Sequence, residues 1–286
     1  PVIGLAGDSG AGKTTTAGYL TSLFGKENTT VIQGDDIHRW ERGHEKWSNY
    51  THLNPISNRL HTHYAHVQDL KRGHAIMRPY YDHASGKFAE ARLVKPKNYI
   101  IDEGLLTFFI KNKALHDLKI YLKPDPALNQ SWKVGRDTKE RGYAEEQVLE
   151  AMKLRAPDKI KYVSQQESLA DMVISVLPPK EETYHSIQFV LKTEINIDPL
   201  LEVLEGRVEF DFDYPDHGHQ RVMIRGQFTR EGLRLALKQL DLDYAEYGVA
   251  PENIRDGIAG LIQLFILYCL DEILKRKFEL EGELYG

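Results

Sequence analysis

Cysteine is the scarcest residue of this chain, because Cys269 is the only one among 286 residues. A single thiol excludes an intrachain disulfide, and with it the disulfide-stapled folds of small secreted proteins. It fits a reducing compartment. Long apolar runs are scarce as well: the run at 260–270, which contains Cys269, is followed at once by Asp271 and Glu272. The sequence therefore predicts a buried helix there and no membrane span.

An excess of positive charge is also missing, since 37 Lys and Arg face 42 Asp and Glu, giving a formal net charge of −5. A mildly acidic chain offers no broad attraction to nucleic acid or to anionic membranes, so we expect neither as a partner. Cations that bind phosphate must then be locally concentrated. Residues 2–6 predict a core strand and not a signal peptide, which together with the lone thiol predicts a cytoplasmic protein.

The pattern of apolar segments predicts an α/β fold. Short apolar strands at 2–6, 30–33, 98–101, 118–122 and 172–176 alternate with helical stretches. This alternation indicates a mostly parallel central sheet with helices on both faces and ligands at the carboxyl ends of the strands.

After residue 180 the pattern changes to strands at 187–191, 208–212 and 220–224, followed by helices near 230–240 and 256–276. No Gly/Ser- or Pro-rich linker separates the two parts. We expect a core at 1–180 and, at 181–286, a C-terminal α+β extension of the sheet packed on that core.

The first strand leads directly into a phosphate-binding loop. The pattern G-x-x-x-x-G-K-[ST] is formed by Gly7, Asp8, Ser9, Gly10, Ala11, Gly12, Lys13 and Thr14, and Thr15 follows it. In this pattern backbone N–H groups cradle phosphates, the lysine reaches the β/γ oxygens and the Thr14 hydroxyl ligates Mg²⁺. The loop predicts a nucleoside triphosphate, but by itself it does not separate kinases, GTPases and motor ATPases, and a glycine-rich turn without a ligand is the alternative.

A second cluster, residues 34–42, follows the second strand. There Asp35 can accept a proton from an incoming hydroxyl, the general-base role that a small-molecule kinase needs. His38 and Arg42 share a face if the segment is helical, and a guanidinium suits a substrate phosphate. The alternative is an acidic N-cap on a charged surface helix.

Two further clusters point in the same direction. The strand at 98–101 is followed by Asp102 and Glu103. An acid at the end of such a strand, here Glu103, can orient Mg²⁺ or its water. Lys133, Arg136 and Asp137 fall on one face of a predicted helix, and Arg141 precedes a glycine that can act as a lid hinge. The alternative for this last cluster is a solvated charged helix. His61, His63 and His66 also share a helical region, but no carboxylate or cysteine completes a metal set, so a solvent-facing helix is predicted there.

Together these segments resemble the phosphoribulokinase and uridine kinase family of P-loop kinases, and within it the phosphoribulokinase type. The matching strings are Gly7-Asp8-Ser9-Gly10-x-Gly12-Lys13, Asp35-Asp36-x-His38, Thr51-His52-Leu53-Asn54-Pro55, Pro79-x-Tyr81-Asp82-His83-x-Ser85-Gly86, Glu103-Gly104-Leu105, Trp132-Lys133-x-x-Arg136-Asp137-x-x-Glu140-Arg141-Gly142 and Arg155-x-Pro157-Asp158. Near the C-terminus, Gly226-Gln227-Phe228 and Gly260-Leu261-x-Gln263 resemble the plant and cyanobacterial type.

The resemblance implies an ATP- and Mg²⁺-dependent enzyme that phosphorylates ribulose 5-phosphate, in a homodimer. Asp35 would be the base for the C1 hydroxyl, and Thr14 and Glu103 would serve the metal. Asp137 would either support the metal or orient Arg136. The sugar phosphate pocket would be lined by His38, Arg42, Tyr81 and His83, and the residues that bind phosphate and neutralise transition-state charge would be Lys133, Arg136 and Arg141.

Two alternatives remain open at the level of sequence. One is a kinase for another small substrate such as uridine, and the other is a nucleotide-binding regulator without turnover. A regulator needs no general base, so the presence of Asp35, Lys133 and Arg136 argues against it. Two departures from the plant pattern stand out: Ala11 replaces the cysteine of the photosynthetic loop, which removes dithiol control, and the stretch at 39–50 has its own sequence.

Overall fold

The computed structural model describes residues 1–112, 114–179, 185–226, 228–240, 242, 247, 249 and 251–285. They form two compact units. The first comprises Pro1–Lys13 and Thr29–Ala170, and the second comprises Thr14–Asn28 and Asp171–Gly286. The predicted boundary between residues 180 and 181 lies outside the described residues, and so does Gln227 of the C-terminal string.

The first unit is built on parallel strands. In chain order its elements are β1 (Val2–Gly7), α1 (Lys13–Phe24, which continues into the second unit), β2 (Thr29–Gln33), α2 (Leu60–Lys71), β3 (Ile76–Asp82), β4 (Lys87–Val94), β5 (Tyr99–Gly104), β6 (Leu118–Leu122), α3 (Pro126–Arg141) and α4 (Glu145–Asp158). Strands β2, β5, β1 and β6 pair in this order, each parallel to its neighbour. Every residue of β1 and β5 is buried, as expected for central strands of a parallel sheet.

The ends of α3 follow from local sequence. Asp125 caps its first turn by accepting hydrogen bonds from the backbone N–H groups of Ala127 and Leu128, and Pro126 stands at the first helical position. Gly142 ends the helix at φ 70°, a left-handed conformation that glycine adopts without strain. The antiparallel pair β3 and β4 was not among the predicted strands, because β4 is almost wholly exposed and carries no apolar alternation.

The second unit adds antiparallel strands. Its further elements are β7 (Met172–Leu177), β8 (Ser186–Lys192), α5 (Asp198–Leu204), β9 (Glu209–Asp216), β10 (His219–Arg225), α6 (Arg230–Gln239) and α7 (Gly257–Tyr285). Strands β7, β8, β10 and β9 pair in this order, each antiparallel to its neighbour. This agrees with the α+β character predicted for the C-terminal part.

Helix α7 extends well beyond the apolar run at 260–270. By length and composition its segment Gly257–Glu279 can cross a membrane, contrary to the expectation from residues 260–270 alone. However, 67% of that apolar window is buried inside the protein, and Cys269 is fully buried. In this unit α7 is a core helix, as predicted.

A buried guanidinium connects several elements of the first unit. Arg78, on β3, is 2% exposed. Its Nε donates to Asp36 Oδ2 at 3.2 Å, and its Nη2 donates to the carbonyl oxygen of Gln33 at 2.5 Å. The two terminal nitrogens also lie 3.0 Å from His63 Nδ1 and from His66 Nδ1. The end of β2, the following turn and α2 are thereby tied to β3.

The network continues to a second buried acid. Asp102, on β5, has no exposed surface and contacts His63 Nε2 at 2.6 Å and His116 Nε2 at 2.8 Å. His61 on α2 is exposed, in keeping with the predicted surface helix, whereas His63 is buried between Arg78 and Asp102. The pairing could not be read from α2 because its partners lie on distant segments.

We predict that Arg78→Met lowers the free energy of unfolding by roughly 3–5 kcal/mol, because it leaves Asp36 buried without its cation. Urea denaturation followed by circular dichroism measures this loss. The matched control is Arg92→Met, since Arg92 pairs with Arg78 across β3 and β4 but is exposed and stacks on Tyr80. The control should cost at most about 1 kcal/mol, and equal losses in both variants would refute a special role for Arg78.

Candidate active site

The loop after β1 depends on glycine for its backbone conformation. Gly7 has φ 147°, and a Cβ there would lie 2.6 Å from the carbonyl oxygen of Leu122, so only glycine fits against β6. Lys13 Nζ donates to the carbonyl oxygens of Gly7 at 3.0 Å and Asp8 at 2.8 Å. Burial lowers the pKa of Lys13, while the charges of Glu103 and Asp35 act in the opposite direction. The loop lysine therefore lies within electrostatic reach of both predicted acids.

Residues beyond the loop pattern hold the loop in place. Lys159, at the start of a π-helical turn after α4, forms an ion pair with Asp8 at 2.7 Å. On α3, the Cβ of Lys133 lies 3.0 Å from the position of a Cβ on Gly10, and Arg136 Nη2 lies 3.4 Å from Ser9 Oγ. Lys159 was missed by sequence analysis, although a π-turn is a frequent marker of functional sites.

Asp35 stands in the short 3-10 turn that follows β2, between two histidines. His38 Nε2 lies 3.5 Å from Asp35 Oδ1, and His83 Nε2 lies 3.3 Å from Asp35 Oδ2. Burial raises the pKa of Asp35, but the hydrogen bonds from His38 and His83 outweigh it and hold that pKa well below its ordinary value. The carboxylate is therefore ionised over the whole physiological range.

The remaining predicted pocket residues gather around this carboxylate. The ring of Tyr81 contacts the rings of His38 and His83 edge-on, at centroid distances of 5.5 Å and 5.2 Å. The Arg42 guanidinium donates to the carbonyl oxygens of His83 at 2.6 Å and Ala84 at 3.3 Å, in the turn between β3 and β4. Arg42 is exposed, so an anionic ligand can reach its guanidinium.

Glu103 ends β5 and is 4% exposed. The register of β2 and β5 sets Gln33 opposite it, and Gln33 Nε2 donates to Glu103 Oε1 at 2.8 Å. A buried carboxylate oriented in this way is the kind of hard oxygen donor that Mg²⁺ prefers. Thr14, the other residue predicted to bind the metal, lies in the first turn of α1 and belongs to the second unit. Thr15 follows in the same turn and is exposed. Among the described residues no group of three or more His, Cys, Asp and Glu forms a metal cluster, so the histidines of α2 offer none.

Asp137 lies in a cationic environment. Its Oδ1 accepts from Arg136 Nε at 2.9 Å and from Arg136 Nη2 at 2.8 Å, and Arg141 Nη1 lies 3.3 Å away. Two guanidinium groups on one carboxylate oxygen do not suit a metal ligand. Of the two predicted roles this arrangement favours the second, the orientation of Arg136.

Lys133 is a buried amine near the same cluster. It is 3% exposed, and burial together with the charge of Arg155 lowers its pKa to about 8. Arg155 is an ionisable neighbour to which the sequence assigned no role; its own pKa is lowered by burial, against the attraction of Asp137. The first unit thus brings Lys133, Arg136 and Arg141 together on α3 and its end.

Comparison with known proteins identifies the family of the chain. The family model described as "Phosphoribulokinase / Uridine kinase family" matches residues 2–183. The chain belongs to this family. A phosphoribulokinase of Synechocystis is 38% identical over 180 residues, covering 63% of this chain and 54% of that protein. A uridine kinase of Brevibacillus brevis is 31% identical over 181 residues, covering 60% of this chain and 83% of that protein.

The family fold extends to a solved structure. A phosphoribulokinase from Rhodobacter spheroides superimposes with a TM-score of 0.63 at 19% identity, covering 83% of this chain and 93% of that one. This likeness confirms the predicted P-loop kinase fold, with a mostly parallel sheet and added antiparallel strands. The chain spans about half the length of the curated phosphoribulokinases that it matches, 54% for the cyanobacterial protein and 48% for a spinach one.

Lys133 gives a measurable signature of nucleotide binding. With a pKa of about 8, about half of these amines are neutral at pH 8 in the free protein. Phosphate charges beside Gly10 would favour the ammonium form of Lys133. We therefore predict that the protein takes up as much as about half a proton when ATP binds at pH 8. Titration calorimetry in buffers of different ionisation enthalpy measures the uptake. Lys133→Met should abolish it, and an unchanged uptake in that variant would assign the proton to another group.

Proposed function

We propose that this protein is an ATP- and Mg²⁺-dependent kinase that phosphorylates the C1 hydroxyl of D-ribulose 5-phosphate and produces ribulose 1,5-bisphosphate. One observation carries the proposal: an ionised Asp35 lies between His38 and His83, within electrostatic reach of the loop lysine, and the exposed Arg42 donates to the carbonyl oxygen of the same His83. A base, a phosphate cradle and a second anion site are the three elements that this transfer requires.

Each residue then has a defined part in the transfer. Asp35 accepts the proton of the sugar hydroxyl as that oxygen attacks the γ-phosphorus of ATP; the bond from phosphorus to the β,γ-bridging oxygen breaks, and ADP leaves. Lys13, Lys133 and Arg136 neutralise charge on the transferring group. Thr14 and Glu103 are the residues that the sequence assigns to Mg²⁺, which would supply charge neutralisation for the phosphates.

We assign the binding of the acceptor's 5-phosphate to Arg42 and Arg141. Arg42 exchanges the carbonyl oxygens of His83 and Ala84 for phosphate oxygens, a charge-assisted contact that is stronger than the one it replaces. Arg141 influences Tyr81 electrostatically, so its guanidinium is near the same pocket. Tyr81 is within electrostatic reach of both cations, and the carbonyl oxygen of His83 accepts a hydrogen bond from Arg42.

A uridine kinase activity is the second candidate, because a uridine kinase is among the relatives that the chain covers most completely. A nucleotide-binding regulator without turnover is the third. A coupled assay with ATP and a panel of ribulose 5-phosphate, ribose 5-phosphate and uridine separates them. Turnover with ribulose 5-phosphate and with no other acceptor supports the proposal. Turnover with uridine would show a uridine kinase instead, and binding of ATP without turnover of any acceptor would show a regulator.

The remaining properties are proposed from the family resemblance. They are a cytoplasmic location, a homodimer, a small sugar phosphate as the partner, and no nucleic acid or membrane partner. Light scattering coupled to size-exclusion chromatography gives the mass in solution, and a monomer would exclude the homodimer.

We predict that Asp35→Asn keeps ATP binding and lowers kcat by on the order of 10²- to 10⁴-fold, because the amide cannot accept the hydroxyl proton. Steady-state kinetics and nucleotide titration on the same preparation give both quantities. A kcat within threefold of the wild-type value would remove Asp35 from the mechanism.

We predict that Arg42→Ala raises the KM for ribulose 5-phosphate roughly tenfold to a hundredfold and leaves the KM for ATP unchanged. A loss of this size is usual when a hydrogen bond to a charged group is removed. Arg39→Ala is the matched control, because Arg39 is three residues away, exposed, and bonded to the carbonyl oxygen of Ile56. A rise in both KM values, or none for the sugar, would place Arg42 outside the acceptor pocket.

A further inference from the structure

His38 is fixed in its site by its neighbours. Its backbone pairs with that of Asn58 as an isolated antiparallel bridge, flanked by hydrogen bonds from Arg39 N to Ser57 O and from Arg59 N to Ile37 O, each 2.9 Å. Its ring is 5.1 Å from the ring of His52 and 5.8 Å from that of Trp47, measured between centroids. The ring cannot turn over without displacing these aromatic neighbours.

The side chain of Asn58 determines which nitrogen of His38 carries hydrogen. Asn58 Nδ2 donates to the carbonyl oxygens of His52 at 3.1 Å and Asn54 at 3.0 Å, so the amide can only be oriented with its NH₂ toward them. Asn58 Oδ1 then faces His38 Nδ1 at 2.8 Å. An amide oxygen only accepts, so Nδ1 must be the protonated nitrogen.

We propose that Asn58 is a positioning residue that locks His38 with its hydrogen on Nδ1, so that Nε2, the nitrogen facing Asp35, is the only one that gains or loses a proton. The effect on turnover rests on the function proposed above, whereas the locked tautomer does not. When His38 is neutral this arrangement leaves Nε2 without hydrogen, so the proton that Asp35 receives from the acceptor hydroxyl then has a defined next position there.

The charges around His38 agree with this role. Burial opposes its protonation, but the hydrogen bond and charge of Asp35, the hydrogen bond to Asn58 and the charge of Asp36 raise its pKa. His52 is neutral because burial and the neighbouring His38 lower its pKa to about 3. Burial also raises the pKa of Tyr81, which stays neutral. The charged groups that act on His38 are thus Asp35 and Asp36.

The tautomer is tested first on the unmodified protein. Long-range ¹H–¹⁵N spectra of ¹⁵N-histidine-labelled protein distinguish protonated from unprotonated ring nitrogens, and His38→Gln identifies the His38 signals by their loss. We expect Nδ1 of His38 to stay protonated through a pH titration while Nε2 alone titrates. An unprotonated Nδ1 at neutral pH would overturn the proposal, without any need for an active enzyme.

Two variants of Asn58 then test the consequence. Asn58→Leu removes the acceptor, so His38 should populate the Nε2–H tautomer and its pKa should fall. Asn58→Asp keeps an acceptor and adds charge, so the Nδ1–H tautomer should persist and the pKa should rise. The matched control is Ser57→Ala, because the Ser57 hydroxyl is buried without a partner among the described residues, and its removal should change neither spectrum nor activity.

Kinetics distinguish this role from a merely structural one. We expect Asn58→Leu to lower kcat roughly tenfold to a hundredfold with the KM for ATP unchanged. The limb of the pH profile of kcat set by His38 should move to lower pH in Asn58→Leu and to higher pH in Asn58→Asp. A lower kcat in both variants with an unmoved limb would reduce Asn58 to a structural residue. If ribulose 5-phosphate is not turned over at all, the proposed function fails while the spectra still decide the tautomer.

Discussion

The first unit depends on the buried guanidinium of Arg78. A positive charge at 2% exposure is tolerated only when partners replace the water it has lost, and Asp36, Gln33 and two histidines do so. Because Arg78 donates to His63 Nδ1, that nitrogen has no hydrogen, and His63 Nε2–H must point to Asp102. One side chain thereby sets the tautomer of a histidine and connects the ends of β2 and β5.

This connection matters for the candidate site because Asp35 follows the end of β2 and Glu103 lies at the end of β5. Asp36 is held through both oxygens, by Arg78 and by the backbone N–H of Tyr81 at 2.9 Å, so the adjacent Asp35 has little freedom of position. Glu103 follows directly after Asp102 and is held by Gln33. Exact placement of reacting groups is a large part of what an enzyme contributes to phosphoryl transfer, and in the reaction that we propose the buried polar contacts would provide it.

Local patterns predicted much of this arrangement. The loop at 7–14, the strand ends at Asp35 and Glu103 and the helix bearing Lys133 can all be recognised within a few residues of sequence. Tyr81 and His83 were found only through the family strings. The contacts that hold the site were not predictable, since Arg78 and Asp36 are 42 residues apart and His63 and Asp102 are 39 apart. Pairing between distant segments leaves no periodic signal in one sequence.

The low pKa of Asp35 has a mechanistic consequence. A carboxylate stabilised by two histidines is a weak base, which would be a disadvantage if the hydroxyl had to be deprotonated before attack. In a loose transition state for phosphoryl transfer the attacking oxygen forms little bond, and its proton becomes acidic only late. What is needed early is a fixed acceptor that aligns the hydroxyl, and this is the part that we propose for Asp35. When the proton does leave the hydroxyl, the unprotonated Nε2 of a neutral His38 is the position to which Asp35 can pass it, and the raised pKa of His38 favours that transfer.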